Sequence, residues 1–121
     1  MNRPVVAIVD DDPRVLASLV ELLESAGYGT RSFLSGEALL AFGLQGVDVL
    51  ITDIGMPGAD GFELRDIVRQ ANPELPVFLM SGRHEIADQS RGIGGFLRKP
   101  FDGHALLAAV CDALATGRDR A

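Results

Sequence analysis

Five residues in this chain have side chains able to do chemistry and fall where an apolar run gives out: Asp10, Asp11, Asp53, Ser81 and Lys99. Asp10-Asp11-Asp12 closes the run 5–9, Asp53 the run 47–53, Ser81-Gly82 the run 77–80, and Lys99-Pro100 the stretch 95–98. Three carboxylates gathered in one concavity repel one another unless a positive charge sits among them. A divalent cation meets that need. Hard oxygen ligands suit Mg²⁺, which keeps several waters and takes one or two carboxylates plus phosphate oxygens. Asp11 and Asp53 are the expected direct ligands, with Asp10 supporting through water and the backbone carbonyl of Gly55 turning back toward the ion. A carboxylate is also a nucleophile toward phosphorus, giving an aspartyl phosphate. Phosphoryl transfer asks chiefly for positioning and charge neutralisation. Mg²⁺ and the Lys99 ammonium would supply charge, and the Ser81 hydroxyl a hydrogen bond to a phosphoryl oxygen. Lys99 is the single lysine among 11 basic residues, and a compact ammonium is a different tool from a planar guanidinium.

These residues converge only if the elements before them are strands of one sheet. Val5-Val6-Ala7-Ile8-Val9 reads as a buried strand, and Asp12 with Pro13 behind it reads as the N-cap of a helix. That helix carries Val15, Leu16, Leu19, Leu22, Leu23 and Ala26 on one face and stops at Gly27. Residues 28–33 are a more polar strand, expected at an edge. Ser35 caps a short helix with Ala38, Leu39 and Phe42. The run 47–53 is nearly continuous in apolar residues, as in a central strand of a parallel sheet. Beyond it, Gly55, Pro57, Gly58 and Gly61 keep helix or strand from continuing. Asp60 and Glu63 form a capping-box-like start to a helix with Phe62, Leu64, Ile67 and Val68, ended by Asn72-Pro73. Residues 77–80 and 95–98 are the remaining strands, and Asp102 caps a last helix with Leu106, Leu107, Val110, Cys111 and Leu114 on its buried side. Five alternations of strand and helix predict an α/β fold, a doubly wound parallel sheet covered on both faces. In such a sheet the strand carboxyl ends share one rim, where ligands bind.

The remaining composition narrows the setting. A chain of 121 residues fits one domain, expected over residues 1–115, with 116–121 a C-terminal tail or the start of a linker. No apolar run reaches membrane-spanning length, and no basic-then-apolar leader opens the sequence. One cysteine cannot form an internal disulfide, which fits a reducing cytoplasm. A formal charge of −6 disfavours direct nucleic-acid binding.

Four pieces, VDDD at 9–12, TDIGMPGADG at 52–61, Met80-Ser81-Gly82 and LRKPF at 97–101, occur in order and each after a predicted strand. Together they resemble the receiver domain of two-component response regulators over essentially the full chain. The resemblance implies a flavodoxin-like, three-layer (βα)5 sandwich with a five-stranded sheet of order 2-1-3-4-5. It implies that Asp53 is the phosphoacceptor, Asp10 and Asp11 the acidic pocket, Ser81 the switch hydroxyl, Lys99 the phosphate-binding lysine and Phe96 the switch aromatic, with a cis peptide at Lys99-Pro100. The partners implied are a sensor histidine kinase or phosphotransfer protein, docking around Arg14 and the loop after Lys99. Downstream would lie an output domain or partner protein, with a homodimer among the modes open to the family. Two departures matter. The segment 83–92 is roughly one turn short for the family's fourth helix, which bears on dimerisation through that helix. Gly55 and Arg83 occupy the positions that tune phosphoryl lifetime: glycine offers no shield, whereas Arg83 can cover the group.

Plainer readings stand beside these. Asp10–Asp12 also fits a solvated turn, Phe96 plain core packing, and Asp60 a cap in preference to a ligand. His84 and His104 read as surface residues, and Cys111 as core. Ser81 lacks a G-x-S-x-G elbow. Two other functions compete with a phosphorylation switch: a phosphorylation-independent interaction module on the same fold, and a small aspartyl-nucleophile phosphatase. The phosphatase typically needs a second acid two residues after the nucleophile, and that residue is Gly55.

Overall fold

The computed structural model describes residues 3–55, 60–81, 96–98 and 103–120, with the backbone alone for 81, 96–98 and 116–120. Its elements run β1 (Val5–Val9), α1 (Pro13–Ser25), β2 (Gly29–Phe33), α2 (Gly36–Phe42), β3 (Val49–Asp53), α3 (Gly61–Ala71), β4 (Val77–Ser81), β5 (Phe96–Arg98) and a C-terminal helix (Gly103–Arg120). All five strands are parallel, in the order β2-β1-β3-β4-β5. The flavodoxin-like order that the family resemblance implies is the order observed.

Alternation along the strands decides the layering. Val6 and Ile8 of β1, Val49 and Ile51 of β3, and Met80 of β4 pack with Leu16, Leu19 and Leu23 of α1 and with Leu106 and Val110 of the C-terminal helix. The intervening residues Ala7, Val9, Leu50, Val77 and Leu79 face the opposite way, onto Leu39 of α2 and Leu64 and Val68 of α3. Every residue of β3 is buried, as a strand covered on both faces requires. The edge strand β2 is the half-exposed, more polar one.

The helix ends follow their local chemistry. The side chains of Asp12, Ser35 and Asp60 accept hydrogen bonds from the backbone N–H of Arg14, Ala38 and Glu63. At the end of α1, Gly27 takes φ 96°. Its N–H donates to the Glu24 carbonyl, and the Tyr28 N–H donates to the Leu23 carbonyl, closing a Schellman turn.

Four expectations from the sequence differ from the structure or fall outside what it describes. Cys111 is exposed and not core. At about 100° per residue, Leu106, Val110, Leu114 and Leu107 fill one sector, and Cys111 lies roughly 40° beyond its edge. The C-terminal helix continues through residues 116–120, a stretch read from sequence as a tail. The segment 83–92, expected as a shortened helix, and the Asp102 cap lie outside the described residues. Among the described residues, no helix is long and apolar enough to cross a membrane.

Candidate functional site

The register of β1 against β3 builds the site. Ile8 pairs with Ile51 and Val9 with Thr52. One step further along both strands, Asp10 comes beside Asp53. The two carboxylates share the parity of Val6, Ile8, Val49 and Ile51, so they continue the face that those four residues fill with hydrocarbon. An apolar layer thus ends on a pair of acids, between the two strands where the chain switches direction across the sheet. Asp10 is fully buried, Asp53 is 8% exposed, and Asp11 is open to solvent. One carboxylate oxygen from each lies within 4.8 Å of the others.

A tight turn brings Asp11 in. The Asp10 N–H still donates to the Phe33 carbonyl, at 3.1 Å, as though β1 continued. The Asp10 carboxylate then accepts from the Asp12 N–H at 2.9 Å, a side-chain turn that bends the chain over Asp11. Asp12 is not one of the clustered acids; it caps α1. Its carboxyl is held below the ordinary value by the Arg14 backbone N–H, with the Arg14 guanidinium 3.5 Å away adding to the effect.

The end of β3 is held from several sides. Asp53 pairs with Met80, and the Ile54 N–H donates to the Met80 carbonyl at 3.0 Å. The buried Thr52 hydroxyl donates to the Asp53 carbonyl at 3.2 Å. The Gly61 N–H, opening α3, donates back to the Ile54 carbonyl at 3.1 Å. A β-carbon on Gly61 would stand 2.5 Å from the Asp53 carbonyl oxygen. From the sequence, Gly61 reads as one loop-breaking glycine among several. The available signal was its position, immediately after the capping Asp60, where an ordinary helix former would otherwise serve.

Of the residues singled out in the sequence, the structure brings Asp10, Asp11 and Asp53 together. Ser81 is the last residue of β4, its backbone opposite Arg98, the residue before Lys99. Phe96 opens β5 opposite Leu79. Gly55 is exposed, and a β-carbon there would meet nothing within 4 Å among the described residues. Asp60 is a helix cap, as expected. Lys99, Arg83 and the Lys99-Pro100 peptide lie outside the described residues.

The family model of the response regulator receiver domain matches residues 6–111. The chain belongs to this family. The receiver domain is 35% identical over 120 residues to the DNA-binding transcriptional regulator NtrC of Salmonella typhimurium, covering 95% of this chain and 26% of that protein. It is 34% identical over 122 residues to the nitrogen assimilation regulatory protein NtrX of Azorhizobium caulinodans, covering 95% and 27%. It therefore spans about a quarter of the length of these relatives. Among solved structures, the chemotaxis protein CheY4 of Vibrio cholerae superposes with a TM-score of 0.81 at 28% identity, covering 93% of this chain and 99% of that one. Membership fixes the setting as two-component signalling, and sets aside the reading as a small phosphatase on another fold. The three carboxylates form a donor set of hard oxygens that can hold a metal ion.

Proposed function

We propose that this receiver domain is a phosphorylation switch whose acceptor is Asp53. The observation that carries this reading is the meeting of Asp10, Asp11 and Asp53 at the carboxyl end of the central strands. Two of the three are buried, a costly arrangement for carboxylates that serve no purpose there. The donor set fits Mg²⁺, held by Asp11, Asp53 and the Gly55 carbonyl, with Asp10 through water. Bound there, the ion supplies positive charge opposite the phosphoryl oxygens.

The chain's own part is nucleophilic. An Asp53 carboxylate oxygen attacks the phosphorus of a phosphohistidine on a sensor kinase or phosphotransfer protein. The phosphorus–nitrogen bond breaks, the imidazole leaves with the electron pair, and Asp53 becomes an acyl phosphate. Water later attacks that phosphorus, returning the carboxylate and inorganic phosphate, so the domain assists its own resetting. Lys99 and Ser81 bind the phosphoryl oxygens, and the added charge draws them inward. Phe96 then turns into the space released, and the surface around β5 and the C-terminal helix is repacked for an output domain or partner. Gly55 and Arg83 set how long the state lasts. The receiver domain works in the cytoplasm and, at a formal charge of −6, leaves nucleic-acid contact to other parts.

Intact mass after incubation with acetyl phosphate and Mg²⁺ tests this directly. The wild type should gain one phosphoryl group, Asp53→Asn none, and EDTA should abolish the gain. Absence of both the adduct and a beryllofluoride complex would overturn the reading in favour of a phosphorylation-independent interaction module.

A further inference from the structure

We propose that Gly61 is a positioning residue for the acceptor. Its missing side chain lets the first turn of α3 lie directly on the Asp53–Ile54 backbone, and that contact keeps the Asp53 carboxylate within reach of Asp10 and Asp11. The inference rests on the reading of these acids as a Mg²⁺-binding acceptor site.

The requirement at Gly61 is one of space. Among the described glycines only Gly27, Gly43 and Gly46 adopt positive φ, so the backbone at Gly61 is one that any residue can take. An added β-carbon, however, would sit 2.5 Å from the Asp53 carbonyl oxygen, 2.8 Å from the Ile54 Cα and 3.1 Å from the Asp53 carbonyl carbon. All three atoms are backbone and cannot rotate aside. Either α3 or the end of β3 has to move. Neither is free to do so alone. The helix is anchored by Leu64 and Val68 in the core and by the Asp60 cap. The strand end is tied to β4 through the Ile54 N–H and to α3 through the Ile54 carbonyl. The displacement is therefore shared, and Asp53 sits at the point of contact. Three carboxylate oxygens within 4.8 Å form a site whose affinity depends on that spacing.

Mg²⁺ binding followed by titration calorimetry, together with circular dichroism for folding, tests the proposal on three chains: wild type, Gly61→Ala and Val68→Ala. The last truncates a core residue of the same helix well away from the acids. Gly61→Ala should remain folded and bind Mg²⁺ at least tenfold more weakly, whereas Val68→Ala should stay within about twofold of wild type. Equal affinity in Gly61→Ala and wild type would overturn the positioning role while leaving the acceptor site intact. So would equal losses in both variants, which would indicate general loosening. A wild type that binds no Mg²⁺ would instead remove the acceptor reading, and this inference with it. Should Gly61→Ala not fold, the wild-type Gly61 amide decides. Addition of Mg²⁺ should shift its resonance and slow its hydrogen exchange, and an unmoved resonance would overturn the proposal.

Discussion

Among single residues, the contrast between two glycines six positions apart is informative. Gly61 has backbone pressed against it, whereas Gly55 is exposed and has room for a β-carbon among the described residues. A side chain at 55 therefore costs the fold little, and what it changes is access to the acceptor two residues earlier. We predict that Gly55→Leu retains the thermal stability of the parent and lengthens the life of the Asp53 acyl phosphate several-fold, since an apolar side chain there obstructs attacking water. The measurement is loss of the phosphoryl group with time, after removal of the donor, by intact mass. An unchanged decay would remove Gly55 from the residues that govern lifetime. Asp53, Asp10 and Asp11 were all legible in the sequence, because a carboxylate directly after an apolar run has few structural reasons to be there. The crowding at Gly61 was not, because a steric requirement between residues separated by a loop leaves no mark on composition or periodicity.

At the level of elements, the strands and helix starts were readable and the outer surfaces were not. Asp12, Ser35 and Asp60 announce their helices because capping is a local hydrogen bond between a side chain and a backbone N–H two or three residues on. Cys111, Phe42 and Ile67 fit an apolar face by spacing but emerge exposed, Phe42 by 65% and Ile67 by 43%. The helical period places a residue on a sector, whereas its burial depends on how far the neighbouring element extends. Phe42 instead stacks at a tilt on Phe33, with the Arg31 guanidinium 5.3 Å from its ring. The capping bond at α3 has a measurable worth. Asp60→Ala removes the acceptor for the Glu63 N–H and should lower unfolding free energy by about 1 kcal/mol in denaturant titrations. Because the cap lies beside Gly61 and not against Asp53, the variant should still accept one phosphoryl group. Loss of phosphorylation in a folded Asp60→Ala protein would show that the start of α3 needs its cap, as well as its close packing, to hold the acceptor.

For the molecule as a whole, the acidic cluster sets stability against function. The chain carries a formal charge of −6, and three of its carboxylates are held within 4.8 Å. Carboxylates this close repel one another, and a bound cation offsets that repulsion. Binding a cation to the folded state alone adds RT ln(1 + [L]/Kd), about 2.7 kcal/mol at a hundredfold excess over Kd. These two effects respond oppositely to removal of one acid. In EDTA, Asp11→Ala relieves repulsion at an exposed position with no packing to lose, so its Tm should equal or exceed that of the wild type. With rising Mg²⁺ the wild type should gain several degrees while the variant, short of a direct ligand, gains much less. The two plots of Tm against Mg²⁺ concentration should therefore cross. A crossing separates a binding site from a merely acidic surface, which would respond to Mg²⁺ through screening and would respond nearly alike in both chains. Parallel curves would mean that Asp11 is not a ligand. If the wild-type curve also remained flat, the cluster would not bind Mg²⁺ at these concentrations.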